Sequence, residues 1–255
     1  MTSPLHIKAI EFGGPAPLFC IPLVAKNRQE LLAEAQVAHR LEADIVEWRA
    51  DFYGDVNANS LIEAARELRT VLQREPVLFT LRIESEGGAT GLSQDLRTEC
   101  ITAVVRSGLV DLVDIELSNG PAILSTVIQT ARRHDVRTIV SFHDFQATPA
   151  NDELLAAISA MIDNGADIAK IACMPRESED VLRLLQLTLA ARRAFPALPL
   201  CIMSMGALGS ITRVAGFLYG SDMAFAAGQE VSAPGQIPIS EAREMAKALL
   251  HLTAK

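Results

Sequence analysis

The chain has 255 residues, 49% of them hydrophobic, and its 23 Lys and Arg against 31 Asp and Glu give a formal net charge of -8. That length buries a sizeable core as one domain over residues 1–255, and the acidic balance excludes a polyanion-binding surface, so no nucleic-acid partner is expected. No stretch approaches the roughly 20 apolar residues that span a bilayer, and residues 1–10 lack a basic stretch followed by an apolar run, so the protein is expected to be soluble and cytoplasmic, with no membrane partner.

In chain order, residues 5–12 alternate weakly and predict a short hairpin covering the floor of whatever follows. Apolar runs then predict strands at 18–24, 45–50, 77–83, 109–117, 137–142, 167–173, 198–204 and 222–226. Between them, apolar residues at three- and four-residue steps predict helices at 28–41, 60–72, 94–107, 122–134, 151–164, 179–194, 209–218 and 240–252. The helix at 151–164 is punctuated by Thr148-Pro149 and Asn151-Asp152-Glu153 at its start and by Gly165 at its end. Eight strand–helix repeats within a single-domain length predict an α/β fold, a closed (β/α)8 TIM barrel, rather than an open sheet. No GxGxxG follows the first strand, so no dinucleotide cofactor is expected.

Side chains alternate across a strand, which separates a face toward the helices from a face toward the barrel axis. Val46, Trp48 and Ala50 share one face, and Glu47 and Arg49 the other. Arg82 continues the face of Leu78 and Thr80, Asp114 and Glu116 share a face, and His143 ends its run. A single strand-end Arg or Glu is as well explained by a structural ion pair. Repeated inward charge on several strands is not, because desolvation penalises it unless function or pairing offsets that penalty. Barrels of this kind carry their sites where the strands end, so a polar pocket in the mouth is predicted.

Lys170, flanked by Ile168-Ala169 and Ile171-Ala172, is expected to lose hydration and present a neutral amine able to attack a carbonyl. His143, on the preceding strand, lies beside it in a barrel and is the natural proton shuttle. Arg213 after the seventh strand suits a carboxylate clamp. The segment Ser232-Ala233-Pro234-Gly235-Gln236 suits a closing lid or an ordinary surface loop. Cys20, Cys100, Cys173 and Cys201 show no CxxC spacing and read as buried thiols, so no metal site is predicted.

These residues, taken in order, resemble the type I 3-dehydroquinate dehydratases: Glu47-Trp48-Arg49 with Asp51, Phe79-Thr80-Leu81-Arg82, Glu86-Gly87-Gly88, Asp114-Ile115-Glu116, His143-Asp144-Phe145, Lys170-Ile171-Ala172, Met203-Ser204-Met205-Gly206, Arg213 and 232–236. The resemblance spans nearly the whole chain. It implies a homodimeric (β/α)8 barrel of the shikimate pathway, a hydro-lyase that turns the small molecule 3-dehydroquinate into 3-dehydroshikimate by syn elimination of water, with no metal and no cofactor. It implies Lys170 as the Schiff-base lysine, His143 as the acid/base and Glu86 as the carboxylate that orients it. Glu47, Arg49 and Arg82 are implied to hold the ring and its hydroxyls, Arg213 the carboxylate, Ser232 and Gln236 the lid, and Met203 and Phe225 the pocket wall. Two departures stand out. Cys20-Ile21-Pro22-Leu23 replaces a small polar residue of the first strand, which is expected to remove one hydrogen bond to substrate. Phe142 replaces an Asn before the histidine, which is expected to alter packing around the imidazole.

Two rival functions follow from the same residues. A Schiff-base aldolase acting on a sugar phosphate needs a phosphate cradle, for which Gly206-Ala207-Leu208-Gly209-Ser210 is the candidate. A barrel that only binds its metabolite has no use for a desolvated amine.

Overall fold

The computed structural model describes residues 5–228 and 233–253. Eight parallel strands, β3 (Leu18–Leu23), β4 (Ile45–Arg49), β5 (Val77–Thr80), β6 (Leu112–Glu116), β7 (Arg137–Asp144), β8 (Ile168–Cys173), β9 (Leu200–Ser204) and β10 (Met223–Phe225), form one sheet in the order β10-β3-β4-β5-β6-β7-β8-β9. The sheet curls until its edges meet. Asp222 N donates to Leu200 O at 2.7 Å and Ile202 N donates to Ser221 Oγ at 3.1 Å, so a side chain completes the seam where regular pairing is missing.

The strand–helix alternation follows from the two faces of each strand. Val46, Trp48, Phe79, Val113, Ile115, Val140, Ala169 and Ile171 point outward into one apolar cluster with helix residues such as Leu31, Leu61, Val104 and Leu184. Helices α1 (Arg28–Arg40), α2 (Ala58–Val71) and α3 (Gln94–Arg106) start at Asn27, Asn57 and Ser93, whose side chains cap Glu30 N, Ser60 N and Leu96 N. The ring continues through α4 (Gly120–Arg133), α5 (Asn151–Asp163), α6 (Ser178–Ala194) and α9 (Ile239–Thr253). The inward residues Cys20, Ile45, Leu78, Leu112, Ile139, Ile168, Cys201 and Met223 form a second, separate cluster. The hairpin β1 (His6–Ile7) and β2 (Ile10–Glu11) closes that cluster from below with Ile7 and Phe12. Burying each such large apolar side chain is worth about 1.5–3 kcal/mol. Above this dry layer the inward face turns polar.

Some boundaries shift. The run 77–83 is strand only to Thr80, while the run after Arg137 stays extended through His143 to Asp144. The single helix expected at 209–218 is divided into α7 (Gly206–Gly209), α8 (Ile211–Ala215) and a 3-10 turn at Gly216–Tyr219. A Cβ on Gly209 would stand 2.4 Å from the Ser204 backbone, so α7 sits directly on the strand that precedes it. At α5 the cap position belongs to Ala150, and Asn151 instead donates to Arg183 O at 3.0 Å. Gly165 takes φ +91, the left-handed geometry that ends the helix.

Candidate active site

The inward faces of β4 to β8 converge on a cavity lined by Glu47, Arg49, Arg82, Glu86, His143 and Lys170, walled by Met203, Phe225 and Arg213, and reached by Gln236. All of these were predicted from the sequence as site residues. Ser232 lies outside the described residues.

Arg82 organises the charges. Its Nη1 is shared by Asp114 Oδ1, Glu116 Oε1 and Ser141 Oγ, each at 2.8 Å, and its Nη2 donates to Asp114 Oδ2 at 2.9 Å. Glu116 also accepts from Arg97, which reaches in from α3, and from Asn119 Nδ2 at 2.9 Å. This lattice compensates the burial of its members, which is why so much charge is tolerated inside a barrel.

Lys170 Nζ donates to Asp114 Oδ2 at 3.1 Å, lies 3.9 Å from Glu47 Oε1, and stands 4.4 Å above the centroid of the Phe225 ring. The apolar setting expected from its sequence neighbours is therefore incomplete. Ala169 and Ile171 face the helices, and the amine faces two carboxylates and an aromatic ring. Adjacent residues on a strand describe the opposite side of the sheet.

β7 pairs with β8, setting Ser141 opposite Lys170 and His143 opposite Ala172. His143 thus stands two residues further toward the mouth than the level of the lysine. Its backbone amide donates to Glu86 Oε2 at 2.9 Å, and Nδ1 lies 3.0 Å from the same oxygen. Ser118 Oγ donates to Glu86 Oε1 at 2.5 Å. With both carboxyl oxygens already accepting, Nδ1 is assigned as the protonated nitrogen, which leaves the Nε2 lone pair available as a base. Burial, then the Arg82 and Lys170 charges, hold the imidazole well below its ordinary value, so it is neutral at physiological pH. Burial also lifts Glu86 to about 7, against the Ser118 hydrogen bond.

Arg49 is held in a fork, Nε to Asp51 Oδ1 at 2.9 Å and Nη2 to Asp51 Oδ2 at 2.8 Å, and also donates to Gly87 O at 3.1 Å. Arg213, on α8, donates to Phe225 O at 3.2 Å and Pro234 O at 3.1 Å, and its Nη1 lies 3.4 Å from Met203 Sδ. Its buried Nε has no partner, and no carboxylate among the described residues pairs with it. Burial pushes it down to about 10. A buried guanidinium that no carboxylate among the described residues pairs with is suited to receive an anion.

Cys20 and Cys201 sit in the dry layer below, free and buried, with Cys201 pushed up to about 12 by burial, so they are poor nucleophiles. Phe142 packs outward against the helix-side cluster, on the face opposite the imidazole, and Pro22 stands level with Glu47. Among the described residues no cluster of three or more His, Cys, Asp or Glu side chains is placed to hold a metal ion. Sequence reasoning missed Ser118, Arg97 and Asn119, and it named Phe145 within a motif but gave no role to that ring, which stacks on the His143 ring with centroids 6.5 Å apart. Ser118 and Asn119 lie in a 3-10 turn and Arg97 on a helix, where no strand alternation marks an inward side chain.

The family model for type I 3-dehydroquinase matches residues 19–253. A 3-dehydroquinate dehydratase of Aromatoleum aromaticum is 44% identical over 98% of this chain and 96% of its own length. One from Geobacillus thermodenitrificans is 42% identical over 96% of each. The crystal structure of the type I 3-dehydroquinate dehydratase from Clostridium difficile with covalently modified comenic acid superposes with a TM-score of 0.95 at 36% identity, covering 98% of this chain and 99% of that one. Fold, full-length likeness and the charged barrel mouth agree: the chain belongs to the type I 3-dehydroquinase family of hydro-lyases.

Proposed function

We propose that the protein dehydrates 3-dehydroquinate to 3-dehydroshikimate in the shikimate pathway, through a Schiff base on Lys170 and acid/base catalysis by His143. The observation that carries the reading is a buried amine and an imidazole lining one cavity, beside a buried guanidinium that no carboxylate among the described residues pairs with.

In this reading Arg213 takes the substrate carboxylate, while Glu47, Arg49 and Arg82 hold the ring and its hydroxyls, which lowers the entropic part of the barrier. Lys170 condenses with the ring ketone and water leaves. The iminium gives the electrons of the adjacent C–H bond somewhere to go. His143 Nε2 takes that proton and, now protonated, returns it to the departing β-hydroxyl on the same face, which is a syn elimination. Glu86 orients the imidazole throughout. Water then hydrolyses the imine and frees Lys170. No step calls on a metal or an added cofactor. Met203 and Phe225 wall the ring, and Ser232 with Gln236 closes the mouth. A sugar phosphate fits less well, because Gly206 N, the first amide of the alternative cradle, already donates to Pro234 O at 3.1 Å.

We place the enzyme in the cytoplasm, where its four free thiols stay reduced. We further propose that it pairs with a second copy. Leu182 on α6, Ile211 on α8 and Leu218 and Tyr219 in the turn after it are large apolar side chains left exposed on adjoining elements, as a dimer interface requires.

Incubation with 3-dehydroquinate is expected to produce the ultraviolet absorbance of a conjugated enone, and borohydride added with substrate is expected to add mass at Lys170. Lys170→Ala abolishes turnover with a far-UV circular dichroism spectrum near wild type. Adduct on a different residue, or turnover by the alanine variant, overturns the assignment.

A further inference from the structure

Lys170 is ion-paired before any substrate arrives, and its partner is itself built in. Asp114 Oδ2 accepts from Lys170 Nζ at 3.1 Å. The same carboxylate accepts from both Arg82 terminal nitrogens at 2.8 and 2.9 Å and from Ser141 Oγ at 2.6 Å. It is 1% exposed and is not among the residues lining the cavity, so it acts on the reaction through the two cavity-lining groups it holds, the Lys170 amine and the Arg82 guanidinium, rather than by touching substrate. We infer that Asp114 is a positioning residue that fixes the Lys170 nitrogen and keeps the Schiff base in its cationic form. The inference rests on Lys170 being the Schiff-base lysine, as proposed above.

Charge conservation supports it. An ammonium and a ketone become an iminium and a water: two N–H protons leave with the ketone oxygen, a C=N bond replaces C=O, and the nitrogen is positive at both ends. A fixed carboxylate is therefore matched to the resting lysine and to the intermediate, and is mismatched only to the brief neutral amine and carbinolamine between them. The cationic iminium is the species that draws electrons from the adjacent C–H bond, which a neutral imine does poorly. Asp114 does not receive the lysine proton. Burial raises its carboxyl, but Arg82 and then Lys170 outweigh that and hold it well below the usual carboxylate range. The proton passes instead to His143. The other groups facing the amine are Glu47 from β4, Arg82 beyond β5, Arg213 from α8 and the thiols Cys20 and Cys201. Without the Asp114 charge, Glu47, 3.9 Å away, is the remaining carboxylate beside the amine among the described residues, and the iminium gives up its proton more readily.

Cyanoborohydride, which reduces iminium in preference to neutral imine, provides the test: 3-dehydroquinate is trapped at Lys170 between about pH 5 and 9 and quantified by mass spectrometry, beside kcat and KM. In Asp114→Asn the pH of half-maximal trapping falls by about 1–3 units, as for loss of an opposite charge within hydrogen-bond reach. Its kcat at neutral pH falls roughly 100-fold while KM moves less than about fivefold, because the lost interaction matters after binding. A residue that merely braced Arg82 would not move the trapping profile. Asp114→Glu keeps the charge but displaces it, so the trapping midpoint stays near wild type while kcat still drops at least about tenfold. Should Asp114→Asn fail to fold by circular dichroism, the glutamate variant decides alone. A trapping profile in Asp114→Asn superimposable on wild type, or wild-type kcat in Asp114→Glu, overturns the inference. Absence of any adduct at Lys170 in the wild-type enzyme sinks instead the Schiff-base reading on which it stands.

Discussion

Glu86 accepts hydrogen bonds at both oxygens, yet burial lifts its carboxyl from 4.5 to about 7. Between those two values the folded chain binds more protons at this site than the unfolded chain does, so this group's contribution to stability declines as pH rises through that window. The decline amounts to roughly 3 kcal/mol at most, since the group is coupled to His143. His143, held low, works the other way and lowers stability as pH falls below 6.5. Glu86→Gln removes only the first effect. Denaturant unfolding at about pH 5 and pH 8 is therefore expected to show the wild-type advantage over Glu86→Gln shrinking toward pH 8. An advantage that grows or stays constant contradicts the burial argument. Arg213 gives the complementary case. Arg213→Gln removes a cation that burial already penalises, so the ligand-free variant unfolds no more easily than wild type. Losing a buried partner for the substrate carboxylate costs about 2 kcal/mol or more, which raises KM roughly 30-fold with kcat largely kept, measurable by steady-state kinetics. Lys170, His143 and the inward Glu and Arg residues were legible because strand alternation sorts side chains by face. The amine's true setting was not, because Asp114 reaches it from another strand, 56 residues away in the chain.

At the level of elements, the tight turn at Glu84–Glu86 and the glycines after it decide whether Glu86 reaches the histidine. Gly87 takes φ +84, and a Cβ on Gly88 would stand 2.1 Å from Arg82 O. Gly88→Ala must push the turn away from the Arg82 backbone, at a penalty of about 1–3 kcal/mol. It is expected to lower the melting temperature and kcat together, whereas wild-type values in both would show that the turn absorbs a methyl group freely. The eight strands and most helices were readable from periodicity and caps. The region 209–218 was not, because its helical pattern continues across Ser210 and Gly216 while the close approach of Gly209 to Ser204, a tertiary constraint, divides it. Short helices let α8 turn Arg213 inward, so the departure from a regular helix brings the guanidinium to the cavity wall.

For the molecule as a whole, the barrel was predictable because eight alternating repeats leave few other ways to bury both faces of a parallel sheet. How two copies meet carries no such signature, since exposed apolar residues on helices look like core residues until the fold is known. Sedimentation at micromolar concentration is expected to give twice the chain mass, and Ile211→Asp with Leu218→Asp to return it to the monomer. A wild-type monomer removes the proposed pairing. The seam between β9 and β10, closed by Asp222 N to Leu200 O and by the Ser221 hydroxyl, has a consequence for how the enzyme fails. β10 brings Phe225 under the lysine and lends its carbonyl to Arg213. The junction without regular strand pairing is thus the one that positions Phe225 and Arg213, both proposed to meet substrate, and heating is expected to abolish turnover before the far-UV circular dichroism is lost.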